Sequence, residues 1–152
     1  MERECFFRTL RNSVFGLDNA FNHYLHRWNM NGTSFKVLYE LYCVPEGLEP
    51  AVLADRTGTV RPAVTVILNS LEEQGYLIRK IRPGDRRKRI AALTPQGVQF
   101  AGEVIACCLQ MEKEVFDSFP AEELFQMLST FTALSERLRE RLLSRKAGDP
   151  ES

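Results

Sequence analysis

Apolar residues recur at Phe7, Leu10, Val14, Leu17, Phe21, Tyr24 and Trp28. The alternating steps of three and four hold them on one helical seam over three heptads. Asn31-Gly32 breaks this first long helix, and Thr33 or Ser34 is placed to cap a second one, which carries Phe35, Leu38, Leu41 and Tyr42 and ends near Pro45. After a short loop through Gly47, Glu49–Arg56 reads as a brief third helix and Val60–Glu73 as a fourth, with Gly75 placed to terminate it. Two β runs follow, Tyr76–Arg82 and Lys88–Leu93. They are joined through Pro83-Gly84, where proline fixes one turn dihedral and glycine accepts the positive φ of the next. Thr94 then caps a long helix with Pro95 at its first position and an apolar stripe of Ala101, Val104, Ile105, Cys108 and Val115. A last helix starts around Pro120. Glu122 and Glu123 suit its positive end, and the seam spacing returns at Leu124, Met127, Phe131, Leu134 and Leu138. From Arg145 the tail reads as disordered.

Composition narrows the class. A chain of 152 residues with 44% hydrophobic content suits one well-buried domain. Nothing approaches the 18 uninterrupted apolar residues of a membrane span, and Glu2, Arg3, Glu4 and Arg8 do not make a secretory signal. The cysteines Cys5, Cys43, Cys107 and Cys108 lack the spacing of a disulfide scaffold or paired metal ligands, so a cytoplasmic protein is expected. Net charge is zero, yet between Tyr76 and Thr94 seven basic residues face the single acid Asp85, a local +6 balanced by −6 elsewhere. That concentration is the electrostatic footprint of a nucleic-acid contact, although a solvated surface face gives the same pattern.

The third and fourth helices supply what a helix-turn-helix needs. Ala54 is small where the second helix crosses, and Gly58 can take left-handed geometry in the turn. Val64 and Ile67, with Val60, Leu68 and Leu71, are expected to face inward. Pro62, Ala63, Thr65, Val66 and Asn69 then lie on the outer flank as groove-facing candidates. A basic hairpin directly after such a motif makes a winged helix.

Leu53-Ala54, Gly58, Val64-Thr65, Leu71-Glu72, Gly75, Asp85-Arg86-Arg87 and Leu93-Thr94 with Gly97 resemble the signature of the MarR (multiple-antibiotic-resistance regulator) family, whose wing reads Asp-x-Arg before a strand ending in Leu-Thr-x-x-Gly. The match spans about 50 residues, and the long flanking helices agree with the family layout. The resemblance implies a mainly α winged helix-turn-helix with the hairpin between the fourth and fifth of six helices. Residues 33–94 form its DNA-binding region, 1–30 and 95–145 its dimerisation region, and 146–152 a disordered tail. It implies a homodimeric repressor on double-stranded DNA, with Phe7, Leu10, Val14, Leu17, Leu124, Phe131, Leu134 and Leu138 at the dimer interface. DNA contacts are expected from the outer flank of the fourth helix, from Arg61 at its start and from Arg82, Arg86, Arg87 and Lys88 in the wing, while Asp85 helps to hold the wing. Because Pro62, Ala63 and Val66 are apolar where many members are polar, hydrogen-bond readout falls to Thr65 and Asn69, supplemented by thymine-methyl contacts and DNA shape. Members bind lipophilic or phenolic effectors near the dimer helices, which makes Phe21, Tyr24, Trp28, Phe35 and Tyr39 an expected effector pocket; core packing explains the same residues.

Two other readings stay open. A winged helix can serve as a protein-interaction module without DNA, and Cys5 in the first helix invites comparison with redox-sensing members, although their sensing position falls nearer Phe7. His23 and His26 find only Asp18 nearby, so no metal or cofactor is expected. The sequence carries no phosphate loop, dinucleotide fingerprint or nucleophile elbow, so an enzyme is not expected either.

Overall fold

The structure is a computed structural model and describes residues 3–146. Among these residues the chain forms six α-helices and one hairpin: α1 (Arg3–Leu25), α2 (Gly32–Cys43), α3 (Pro50–Thr57), α4 (Arg61–Glu73), β1 (Leu77–Arg82), β2 (Asp85–Leu93), α5 (Pro95–Phe116) and α6 (Ala121–Lys146). This is the expected mainly α architecture with a β-hairpin wing. The chain divides after Ala106 into two compact units. No helix among the described residues is long and apolar enough to cross a membrane.

The core of the first unit forms where the helical stripes meet. Leu25, Val37, Leu38, Leu41, Leu53, Val64, Leu68 and Leu77 are all essentially inaccessible to solvent. Burying each such side chain contributes about 1.5–3 kcal/mol. The turn between α3 and α4 is made by Gly58, whose φ of 63° lies in the left-handed region and whose amide donates to Ala54 and Asp55 carbonyls. Gly75, at φ 77°, closes the exit from α4.

Several boundaries differ from expectation. The first helix ends at Leu25 and passes into a 3₁₀ turn, His26–Trp28, stopped by Asn29 in left-handed geometry. Asn31, not Thr33 or Ser34, caps α2: its side-chain oxygen accepts from the Ser34 amide at 2.9 Å. Asn22 Oδ1 takes the Gly32 amide at 2.7 Å, so two orphan amides at this helix start are satisfied by asparagines. Val60 does not face inward. It is the extended N-cap residue of α4 and 70% exposed, because a residue outside the helix escapes the helical period. Ile67 is only half-buried. On α5, Ala101, Val104, Ile105 and Cys108 are buried as expected, whereas Val115 is exposed. Helix α6 runs through Lys146, so Arg145 and Lys146 are helical rather than part of a tail, and 147–152 lie outside the described residues.

The second strand begins at Asp85, three residues before the expected Lys88. Antiparallel pairing runs from Leu77 opposite Leu93 to Ile81 opposite Arg89, then jumps to Arg82 opposite Asp85. Arg86, Arg87 and Lys88 therefore have no counterpart on β1, and the wing tip is a bulge made of three consecutive basic residues. A third extended segment went unread in the sequence: Leu48 exchanges both backbone hydrogen bonds with Ala91, at 2.9 and 2.8 Å. Gly47 is required there, with φ 98° and no room for a Cβ beside the Ala91 carbonyl.

Candidate nucleic-acid interface

Helix α4 presents two different faces. Val64, Leu68 and Leu71 are buried and fix the helix to the core, while Arg61, Pro62, Thr65, Val66 and Asn69 are exposed on its outer flank and Ala63 is half-buried. Thr65 Oγ1 donates to the Arg61 carbonyl at 3.0 Å, a back-bond within the helix that still leaves its lone pairs and methyl to an incoming groove. Val66 is 67% exposed, which makes the outer flank more apolar than a purely hydrogen-bonding reader.

The joint that carries the wing explains the Leu-Thr-x-x-Gly pattern. Thr94 Oγ1 donates to the Gly75 carbonyl at 2.7 Å and accepts from the Gly97 amide at 3.0 Å, so one hydroxyl ties the end of α4 to the start of α5. The Thr94 amide also donates to the Tyr76 carbonyl at 3.0 Å. That carbonyl passes so close to Gly97 that a Cβ there would lie 1.9 Å from its oxygen. Tyr76 stacks on Phe100, with ring centroids 4.2 Å apart. At the tip, Asp85 Oδ1 accepts from the Arg87 amide at 3.0 Å, a local turn that shapes the bulge.

The basic residues of the wing fall into two sets. Arg82 donates to Glu49 Oε1, and Lys88 Nζ lies 3.1 Å from the same oxygen, so both are tied to the carboxylate that precedes α3. The Lys88 ammonium, with the Arg82 guanidinium beside it, holds the Glu49 carboxyl below the usual carboxylate range, against partial burial that pushes the other way. Arg79 donates to both Glu72 and Asn69, bracing β1 against α4. Lys80, Arg87 and Arg89, like Arg61 on α4, make no ion pair among the described residues. Arg82 and Lys88, expected at DNA, thus sit beside Glu49, whereas Arg87 is exposed on the bulge and makes no ion pair among the described residues. The Arg86 side chain lies outside the described residues. Glu49, Arg79 and Glu72 escaped the sequence reading as supports. An acid just before a helix and another near a helix end, each set against a basic strand, are the signals that could have found two of them.

The aromatic set does not form one chamber. Phe35 and Tyr39 line a groove of about 370 Å³ with Lys36, Glu40, Arg56 and Thr57. Phe21 packs edge-on against Phe35, at 5.3 Å between centroids. Tyr24 and Trp28 instead pack against each other, and the Arg27 guanidinium lies 4.0 Å over the Tyr24 ring. Cys5 is exposed on α1. No group of three or more histidine, cysteine or acidic residues among the described residues is placed to hold a metal ion.

Comparison with known proteins matches this region first. The model of the MarR family covers residues 28–88, from the end of the 3₁₀ turn through the helix-turn-helix to the wing bulge. The HTH-type transcriptional regulator MhqR of Bacillus subtilis is 28% identical over 99 residues, 64% of this chain and 67% of MhqR. Among solved structures, Staphylococcus aureus MepR in its DNA complex aligns with a TM-score of 0.71 at 20% identity, covering 91% of this chain and 99% of MepR. CouR from Rhodococcus jostii, bound to p-coumaroyl-CoA, aligns at 0.69 and 25% identity over 82% of this chain and 88% of CouR. The fold agrees with that of these solved structures, and the helix-turn-helix and wing of this chain, residues 28–88, are similar to the MarR family of regulators.

Proposed function

We propose that the chain is a repressor that binds a pseudo-palindromic operator as a homodimer, with the outer flank of α4 in the major groove and the wing tip at the backbone or in the adjacent minor groove. One observation carries this reading: the exposed flank of α4 is braced to a bulged wing whose Arg87 is free of ion pairs among the described residues. A planar, permanently charged guanidinium suits a narrow minor groove or a pair of phosphates. Arg61, at the start of α4, supplies a phosphate contact.

The dimer follows from apolar surface. In the first unit, Phe7, Val14 and Leu17 are exposed along α1, with Leu10 half-buried. In the second, Phe131 and Leu138 are exposed along α6, with Leu124 and Leu134 half-buried. Contiguous apolar seams of this kind mark association surfaces. Residues 1–30 and 95–145 accordingly serve dimerisation and 33–94 DNA binding. A small lipophilic or phenolic molecule releases the operator by favouring one of two dimer shapes, received at the groove that Phe35 and Tyr39 line. The ligand-bound state of CouR supports this effector class. The protein acts in the cytoplasm.

Exposed Val60, Pro62 and Val66 favour a second reading, in which α4 docks on a protein rather than on DNA. An electrophoretic shift separates the two. Retention of an operator fragment from the chain's own promoter region against excess bulk DNA supports the first, and no shift at low salt supports the second.

A further inference from the structure

Asn69 is fixed before DNA arrives. Arginine offers only donors, so the atom that Asn69 turns toward Arg79 must be its carbonyl Oδ1. The guanidinium is itself oriented, because its other nitrogen donates to Glu72, three residues further along α4. The fork thus spans Asn69 and Glu72 and closes β1 onto the exposed flank of the helix. With Oδ1 held toward the strand, the amide group Nδ2 is the part of Asn69 directed away from it, and what it presents is two donors.

This matters because asparagine reads adenine with both ends of its amide: Oδ1 accepts from the base N6 while Nδ2 donates to N7. A carbonyl held by Arg79 is turned from that pose. Two donors match a different edge, such as guanine O6 and N7 or thymine O4, which accept only. We infer that Arg79 is a positioning residue that converts Asn69 into a donor-only reader, selecting guanine or thymine over adenine at its base. The inference rests on α4 being the helix that meets the major groove.

Selection of bound sequences from a randomised duplex pool tests it. Asn69→Ala identifies the base position concerned, as the one whose preference flattens. The parent protein is expected to favour guanine or thymine there. Arg79→Met, which keeps the stem and removes the donors, is expected to raise adenine about tenfold relative to the parent. Arg79→Leu likewise removes every donor, so it is expected to show the same gain, whereas Arg79→Lys, whose ammonium can still donate to Asn69 Oδ1, is expected to stay closer to the parent. Circular dichroism establishes that each variant is folded, and should Arg79→Met fail to fold, Arg79→Leu carries the test. Adenine already preferred by the parent, no position flattened by Asn69→Ala, or no gain of adenine in the folded donor-free variant would each overturn the inference. If the parent enriches no sequence at all, it is the DNA-binding reading that fails.

Discussion

Gly97→Ala should unfold the joint on which the wing depends. The position has no need of unusual backbone geometry, because its φ is not positive; it needs space. A Cβ would sit 1.9 Å from the Tyr76 oxygen and 2.8 Å from its carbonyl carbon, where real Cβ contacts essentially never fall under 3.0 Å. The carbonyl would have to retreat by roughly 1 Å, and both groups are backbone, so no flexible side chain can absorb the movement. Retreat breaks the Thr94 to Tyr76 hydrogen bond, worth about 1 kcal/mol, and loosens the Thr94 cap, worth about another 1 kcal/mol. Overpacking strain adds about 1–3 kcal/mol where the chain cannot yield. The expected loss is about 3–5 kcal/mol, a large share of the 5–15 kcal/mol typical of a domain. It should lower the thermal midpoint by on the order of 10 °C, read by far-ultraviolet circular dichroism at one fixed protein concentration. Gly16→Ala is the control. It lies within α1 with nothing inside 4 Å of the added Cβ, and should be neutral or stabilising by up to about 1 kcal/mol. Equal midpoints for Gly97→Ala and the parent would refute the close-approach argument.

Arg87→Ala should weaken operator binding by about 1–3 kcal/mol per subunit and lower the salt slope by about 1, with an unchanged dichroism spectrum; titration by fluorescence anisotropy across salt concentrations checks both. Glu49, whose folded-state carboxyl is held below its ordinary range, contributes stability that is complete above the usual glutamate pKa of about 4.3 and lost as pH falls through the lower folded value. Glu49→Gln should therefore be less resistant to urea than the parent at neutral pH, with the difference closing in acid. Sedimentation at micromolar concentration should find a dimer, and Leu17→Glu with Phe131→Glu should shift it toward monomer.

Local punctuation made much of this fold legible. Gly58 and Gly75 stop helices where left-handed geometry is needed, Pro95 after Thr94 starts one, and Pro83-Gly84 turns the hairpin. The buried face of α4 followed from the spacing of Val64, Leu68 and Leu71. Periodicity misled at Val60, where the apolar spacing continues one residue past the helix itself. It was silent at Leu48, where a single paired residue has no period to show. For the site, the outer flank of α4 and the wing charge were readable, but which charges are engaged was not. Glu49 lies 39 residues from Lys88 in sequence, and only the folded chain shows that Lys88 and Arg82 sit beside it while Arg87 makes no ion pair among the described residues. That Asn31, rather than the expected Thr33 or Ser34, caps α2 likewise hung on which side chain reached an amide, since all three residue types cap well.

Hydroxyl-radical footprinting of the parent protein on an operator from its own promoter region tests the central claim most directly. A dimer carrying two α4 helices and two wings should protect two related half-sites with centres about one helical turn, roughly 10 base pairs, apart, together with flanking minor-groove positions that lose protection in Arg87→Ala. A single isolated half-site, or protection that Arg87→Ala leaves unchanged at the flanks, would contradict it.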